Sequence, residues 1–212
     1  MYIKWIVCQV KEGMKDAFSR AQEQWISTGQ AEGFIAQVGG WNVQSENEAC
    51  IIAFWESRGH AERFMVSLHD RVVEENRQSE TYHAINVAYF DGLLEMEGQA
   101  ASLVEAVRTG ELLRIADCEV HSGRTEHFES VQQSVWLPAM QQAEGMLRGM
   151  FSKAEDGSNR YLVSTFWDTA VHHDHYQTEQ VPLLRERASV TDDLHAITGK
   201  QVRLVKSWNV LA

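Results

Sequence analysis

Cysteine is scarce, and its three copies, Cys8, Cys50 and Cys118, cannot all pair within one chain. They show no C-x-x-C spacing, which excludes a disulfide framework and a zinc knuckle and leaves small buried residues suited to a reducing compartment. Basic residues are outnumbered 19 to 30, the net charge is −11, and no basic cluster interrupts that balance. A nucleic-acid backbone would therefore be repelled. No apolar run approaches the ~20 residues of a membrane span. Met1-Tyr2-Ile3-Lys4-Trp5 enters a strand pattern directly, without the charged and apolar regions of a signal peptide. The expectation is a cytoplasmic protein with neither a nucleic-acid nor a membrane partner. A glycine-rich phosphate loop, a G-x-S-x-G elbow, an H-E-x-x-H pair and an EF-hand loop are all missing, so the common dehydrogenase, hydrolase and ATPase readings lose their support. What is present, 44% hydrophobic and 23% charged residues over 212 positions, suits one large globular domain or two small ones.

The chain is written twice. Lys4-Trp5-Ile6-Val7-Cys8-Gln9-Val10 lines up with Arg114-Ile115-Ala116-Asp117-Cys118-Glu119-Val120, and Gly13 and Phe18 with Gly123 and Phe128, at an offset of 110. Ala31-Glu32-Gly33-Phe34 matches Ala143-Glu144-Gly145-Met146 at an offset of 112, as do Phe54-Trp55-Glu56-Ser57 with Phe166-Trp167-Asp168-Thr169 and His83-Ala84-Ile85 with His195-Ala196-Ile197. One two-residue insertion near the end of the first helix reconciles the offsets. Several matches in the same order argue for a tandem duplication.

In each half a strand is followed by an amphipathic helix, marked in the first by Met14, Ala17, Phe18, Ala21 and Trp25. A hairpin follows, Phe34 to Val43 with Ala49 to Trp55, matched by Met146 to Ser152 with Tyr161 to Trp167. Ala61, Phe64, Met65, Leu68 and Val72 mark a second helix, interrupted or re-angled near His69, and Ala84 to Phe90 reads as a fourth strand. The order β-α-β-β-α-β is the ferredoxin-like unit, an α+β fold whose sheet carries helices on one face only. The open face must pair, and two copies in one chain predict an intrachain pseudo-dimeric α/β barrel. The expected boundaries are 1–92 for the first repeat, 93–110 for a connector with a short helix built on Ala100, Leu103, Val104 and Val107, and 111–212 for the second repeat. Formation of a homo-oligomer is left open.

Phe54-Trp55-Glu56-Ser57-Arg58, with Phe64, Ser67 and His69 after it, resembles the antibiotic biosynthesis monooxygenase superfamily of dimeric α/β-barrel proteins, over residues 1–90 and 111–208. The resemblance implies small aromatic or quinone-precursor substrates bound between sheet and helices, often without metal or flavin. It also implies a strand Asn, a Trp four residues later, and Tyr or His groups on a helix. Trp55 and Trp167 match the Trp, whereas Ile51 and Val163 stand where the Asn would be. The haem-degrading branch is disfavoured, because strand one has no Asn in either copy and Glu74, Glu75 and Glu186 lie near the expected His position. The superfamily also holds stress-response and dimerisation modules, so the resemblance implies the fold more firmly than the reaction.

The copies differ where chemistry could sit. Shifting Ala61, Phe64, Met65 and Leu68 by 112 gives His173, Tyr176, Gln177 and Gln180. Either this polar face meets a ligand, or the helix has rotated or stops before Pro182 and leaves it in solvent. The first alternative predicts a cavity bounded by Trp167 in the second repeat and a small or absent one in the first. His172, His175 and Glu179 share a helical face that could hold a divalent ion or simply be a solvated helix start; no metal and no cofactor are expected. His83 and His195 either satisfy backbone carbonyls or face the pocket as general bases. Glu56 and Asp168 read as helix-start acids without a catalytic role. The candidate set is therefore His173, Tyr176 and His195 for catalysis, with Trp167, Gln177, Gln180, Trp55, Phe64 and His69 for binding a small apolar or aromatic molecule. The expected activity is that of a cofactor-independent monooxygenase-like protein acting on a small aromatic or quinol. The alternative is a non-catalytic small-molecule-binding or stress-response module.

Overall fold

The computed structural model describes residues 1–212. The first repeat runs β1 (Tyr2–Val10), α1 (Lys15–Glu23), β2 (Phe34–Asn42), β3 (Glu48–Trp55), α2 (Arg58–Phe64), α3 (Asp70–Asn76) and β4 (Tyr82–Glu97). After α4 (Leu103–Thr109) the second repeat follows as β5 (Leu112–Val120), α5 (Thr125–Val131), α6 (Leu137–Gln142), β6 (Met146–Ala154), β7 (Arg160–Trp167), α7 (Ala170–Glu179), α8 (Val181–Ala188) and β8 (Leu194–Leu204), with a short β9 (Val210–Leu211) at the end. No helix is long and apolar enough to cross a membrane.

Matching glycines hold matching turns. Gly13 and Gly123, and Gly33 and Gly145, all have positive φ, as do Arg77 and Ser189 where α3 and α8 end. The two-residue insertion is absorbed after the first helix of the second repeat. There the chain makes a wide π turn over Gln132–Trp136, where the first repeat makes a tight 3-10 segment over Gln24–Gln30. The expected break near His69 is likewise a π turn, Met65–His69, between α2 and α3. In the second repeat Pro182 starts a new helix, α8, and re-angles the chain there.

The chain divides into two compact units, residues 1–89 with 202–212, and residues 90–201. This differs from boundaries drawn at 92 and 111. Residues 93–97 continue β4 instead of belonging to a connector, whereas the expected short helix is α4. The first unit's strands are ordered β4-β1-β3-β2, and β2 then takes the end of β8 and β9. Tyr2 faces Trp55 across β1 and β3, and Gly40 faces Leu204 across β2 and β8. The second unit's order is β8-β5-β7-β6, and β6 takes the tail of β4, with Phe90 opposite Ala154 and Glu97 opposite Arg148. Each unit is thus completed by the end of the other repeat's last strand. Trp208, fully buried, lies beside Phe18 and Trp41 at 5.6 and 5.4 Å, and its Nε1 donates to Ser19 Oγ at 2.7 Å. At the equivalent position Met96 is buried in the second unit's core.

Candidate functional site

Each unit holds a cavity between its sheet and helices. The second unit's has a volume of about 460 Å³ and is lined by Phe128, Trp136 and Val163 with Arg114, Tyr176 and His195. The first unit's, about 330 Å³, is lined by Lys4, Trp25, Trp55, Phe64, His69 and Tyr89. Of these two cavities the second copy's is the larger, but the first is not closed as expected, and a wider, more open hollow of about 880 Å³ lies beside α2 and the π turn of the first unit. Its helix presents Phe64 and Met65 opposite small Ala53 on β3, and those side chains do not fill the space. Ile51 and Val163, the positions that the resemblance aligns with the superfamily's Asn, are on the two cavity walls.

Of the second-copy candidates, Tyr176 and His195 reach the wall, whereas Trp167, His173, Gln177 and Gln180 do not. Trp167 is fully buried behind Tyr176, their ring centroids 5.2 Å apart, and its Nε1 donates to Thr165 Oγ1 at 3.0 Å. His173 is buried edge-on to Trp167 at 5.3 Å. Gln177 and Gln180 are only half-buried, so a polar cavity face made by all four residues does not form. The reason is rotational: α7 turns His173 and Tyr176 inward and leaves the two amides at its flank. In the first unit Trp55, Phe64 and His69 do come together, with centroids of Trp55 and Phe64 5.0 Å apart and of Phe64 and His69 6.0 Å apart. His195 is exposed at the cavity rim, edge-on to His121 at 5.4 Å, while its counterpart His83 is exposed and does not line the first cavity.

The candidates leave out Lys4 and Arg114, equivalent positions on β1 and β5, opposite Ala53 and Thr165. Each puts a cation on a cavity wall. Burial pulls the Lys4 ammonium down to about 8, with its Nζ 3.5 Å from Met65 Sδ and 5.9 Å from the centroid of Tyr89. Burial also lowers the Arg114 guanidinium, which remains a cation at neutral pH. Burial pushes the Cys8 and Cys118 thiols and the Tyr176 phenol up to about 12, so all three stay protonated at neutral pH and Tyr176 is a neutral donor. The alignment of Lys4 with Arg114 was the available sequence signal.

The His172, His175 and Glu179 face does not converge on one point. His172 Nδ1 pairs with Asp168 at 2.8 Å, and His175 Nδ1 with Glu179 at 3.2 Å. Asp168 is therefore a partner to His172, and the capping oxygen at the helix start is Thr169 Oγ1, which accepts from His172 N–H. The first unit repeats the arrangement with Glu56, Ser57 and His60. The imidazoles lie over Gly145 and Gly33, where a Cβ would collide with them.

Adjacent histidines titrate in opposite senses. The hydrogen bond that His172 donates to Asp168 raises its pKa, whereas desolvation lowers that of His173 despite Asp174 beside it. The His172 pair thus stabilises the fold below the unfolded pKa of about 6.5, and that contribution is lost as pH rises through the folded value. His173 acts the other way: neutral burial is favoured above about pH 6.5, and stability falls as pH drops toward its folded value. An NMR titration should place His172 above and His173 below the ordinary value, and Asp168→Asn should lower His172 without moving His173. Equal titration of both rings would contradict this geometry.

A family described as "Domain of unknown function (DUF4937)" matches residues 2–90. The uncharacterized protein YdbC of Bacillus subtilis strain 168 is 37% identical over 93 residues, which are 43% of this chain and 78% of that protein. Among solved structures, a protein of Lactobacillus acidophilus NCFM, provisionally described as a monooxygenase, is similar at a TM-score of 0.74 and 14% identity, covering 99% of this chain and 95% of that one. A protein of Fusobacterium nucleatum with the same provisional description has a TM-score of 0.78 at 9% identity, covering 97% and 92%. An anthrone oxidase-like protein has a TM-score of 0.69 at 11% identity, covering 96% and 91%. These likenesses span both repeats and bear out the expected fold class, α+β with two ferredoxin-like repeats. The chain belongs to the family of YdbC, its first repeat matches a domain of unknown function, and over both repeats its fold is that of the provisionally described monooxygenases it resembles.

Proposed function

We propose that this chain is a cofactor-independent monooxygenase-like enzyme acting on a small aromatic or quinol compound in the cavity of its second unit. The observation that carries the reading is that Tyr176, buried, and His195, at the rim, both line a largely apolar cavity of about 460 Å³. Phe128 and Trp136 offer rings against which a flat substrate packs, and the unpartnered Tyr176 hydroxyl offers a hydrogen bond to a substrate oxygen. His195 at the rim accepts the phenolic proton. The resulting phenolate supplies the electrons: one atom of dioxygen enters the ring carbon, the other leaves as water with the two hydrogens lost by the substrate, and a quinone results. The likeness to an anthrone oxidase-like protein supports an aromatic substrate through fold alone.

Ile51 and Val163 favour the second reading, a module that binds without turnover, because they put hydrocarbon where the superfamily's strand Asn stands. Oxygen uptake with a panel of hydroquinones and anthrones separates the two. Substrate-dependent uptake, label from ¹⁸O₂ in the product, and a loss of about 10²-fold in His195→Ala are expected for the enzyme. Saturable binding without uptake would establish the module instead.

A further inference from the structure

We propose that each unit carries a binding site for a small carboxylic acid with an apolar body, Lys4 being the counter-charge in the first unit and Arg114 in the second. The proposal rests on reading the cavities as ligand sites and does not depend on turnover. Three observations converge on it.

First, the cavity walls are unlike the rest of the chain. Among 30 acidic residues, not one lines either cavity, although each cavity has a cation at the same strand position. A cation placed in an apolar wall without a carboxylate is costly unless something anionic arrives to face it. Second, the orphan polar atoms on the walls are donors. Gln37 Nε2, Asn76 Nδ2 and the Thr28 hydroxyl in the first cavity, and Trp136 Nε1 and the Tyr176 hydroxyl in the second, are buried without hydrogen-bond partners. All five residues are at least nine-tenths buried. The orientation of Asn76 is determined, since its Oδ1 accepts from Gln78 N–H at 2.9 Å. Native interiors rarely leave such groups unpaired, and a carboxylate with two oxygens and several lone pairs satisfies both the cation and the donors. Third, the remaining wall is hydrocarbon and aromatic, which selects an acid with an apolar body over inorganic phosphate.

The duplicated cations differ in one testable respect. Arg114 keeps its charge at any accessible pH, whereas Lys4 loses its proton near pH 8. The titratable groups around Lys4 are Cys8 on β1, His69 in the π turn after α2, and Tyr82 and Tyr89 on β4, none of which is a carboxylate. Around Arg114 they are Cys118 on β5, Tyr176 on α7, Arg185 on α8 and His195 on β8.

The probe is 1-naphthoate, with 1-naphthamide as its uncharged isostere, titrated calorimetrically into the full chain without added substrate. At pH 7 two molecules of naphthoate should bind, and naphthamide should bind at least tenfold more weakly at both sites. Raising the pH to 9.5 should weaken the Lys4 site about 30-fold, from the fraction of protonated amine, and leave the other unchanged. Lys4→Met and Arg114→Met should each remove one site. The reciprocal exchange avoids any loss of folding that those variants bring: Lys4→Arg should abolish the pH dependence of the first site, and Arg114→Lys should introduce one in the second. Equal affinity for naphthoate and naphthamide, or stoichiometry and pH dependence indifferent to these four variants, would overturn the proposal. Binding as predicted without oxygen uptake would uphold it while removing the enzymatic reading.

Discussion

Replacing Trp208 with alanine, only four residues before Ala212, is expected to destabilise the first unit by about 3–5 kcal/mol, the range for deleting a buried tryptophan. The indole is fully buried between Phe18 and Trp41, where no solvent can take its place. Its N–H bond to Ser19 adds about 0.5–1.5 kcal/mol that Trp208→Phe alone should lose. Truncation after Gln201 should do more, because it also removes the end of β8 from β2 and takes away β9. Urea unfolding followed by hydrogen exchange would resolve the units: amides of β1 to β3 should lose protection, while those of β5 to β7 keep theirs. If Trp208→Ala unfolds at the wild-type urea concentration, the C-terminal segment is not part of the first unit's core.

Trp167 should prove a support for the cavity instead of a ligand contact. Trp167→Ala is expected to cost about 3–5 kcal/mol, since the indole is 1% exposed and backs both His173 and Tyr176. Trp167→Phe keeps most of the volume but strips Thr165 Oγ1 of its donor, a loss of about 1–3 kcal/mol. Naphthoate affinity in Trp167→Phe should stay within about threefold of wild type, because the ring does not reach the cavity wall. A folded Trp167→Phe that no longer binds the probe would place the indole against the ligand and reverse this assignment.

The sequence by itself determined the duplication, the order of elements in each copy and the fold class, because all of these are written locally. Positive-φ glycines such as Gly13, Gly33, Gly123 and Gly145 mark turns, and apolar spacing marks helices and strands without reference to distant residues. The two-residue insertion was visible as a change of offset, though not that a π turn would absorb it. Tertiary structure alone decided the rest. Residues 202–212 and the tail of β4 complete sheets whose other strands lie far away in sequence, and alternation along a strand cannot name its partner. Tyr176 lines the cavity while Gln177 and Gln180 do not, because a small rotation of α7 chooses the inward face and the nearly even polarity of its sequence leaves that choice to packing. Lys4 and Arg114 read along the chain as ordinary polar positions on alternating strands. Only when helices close over that face of the sheet does the same charge become a half-buried cation on a cavity wall that no carboxylate lines.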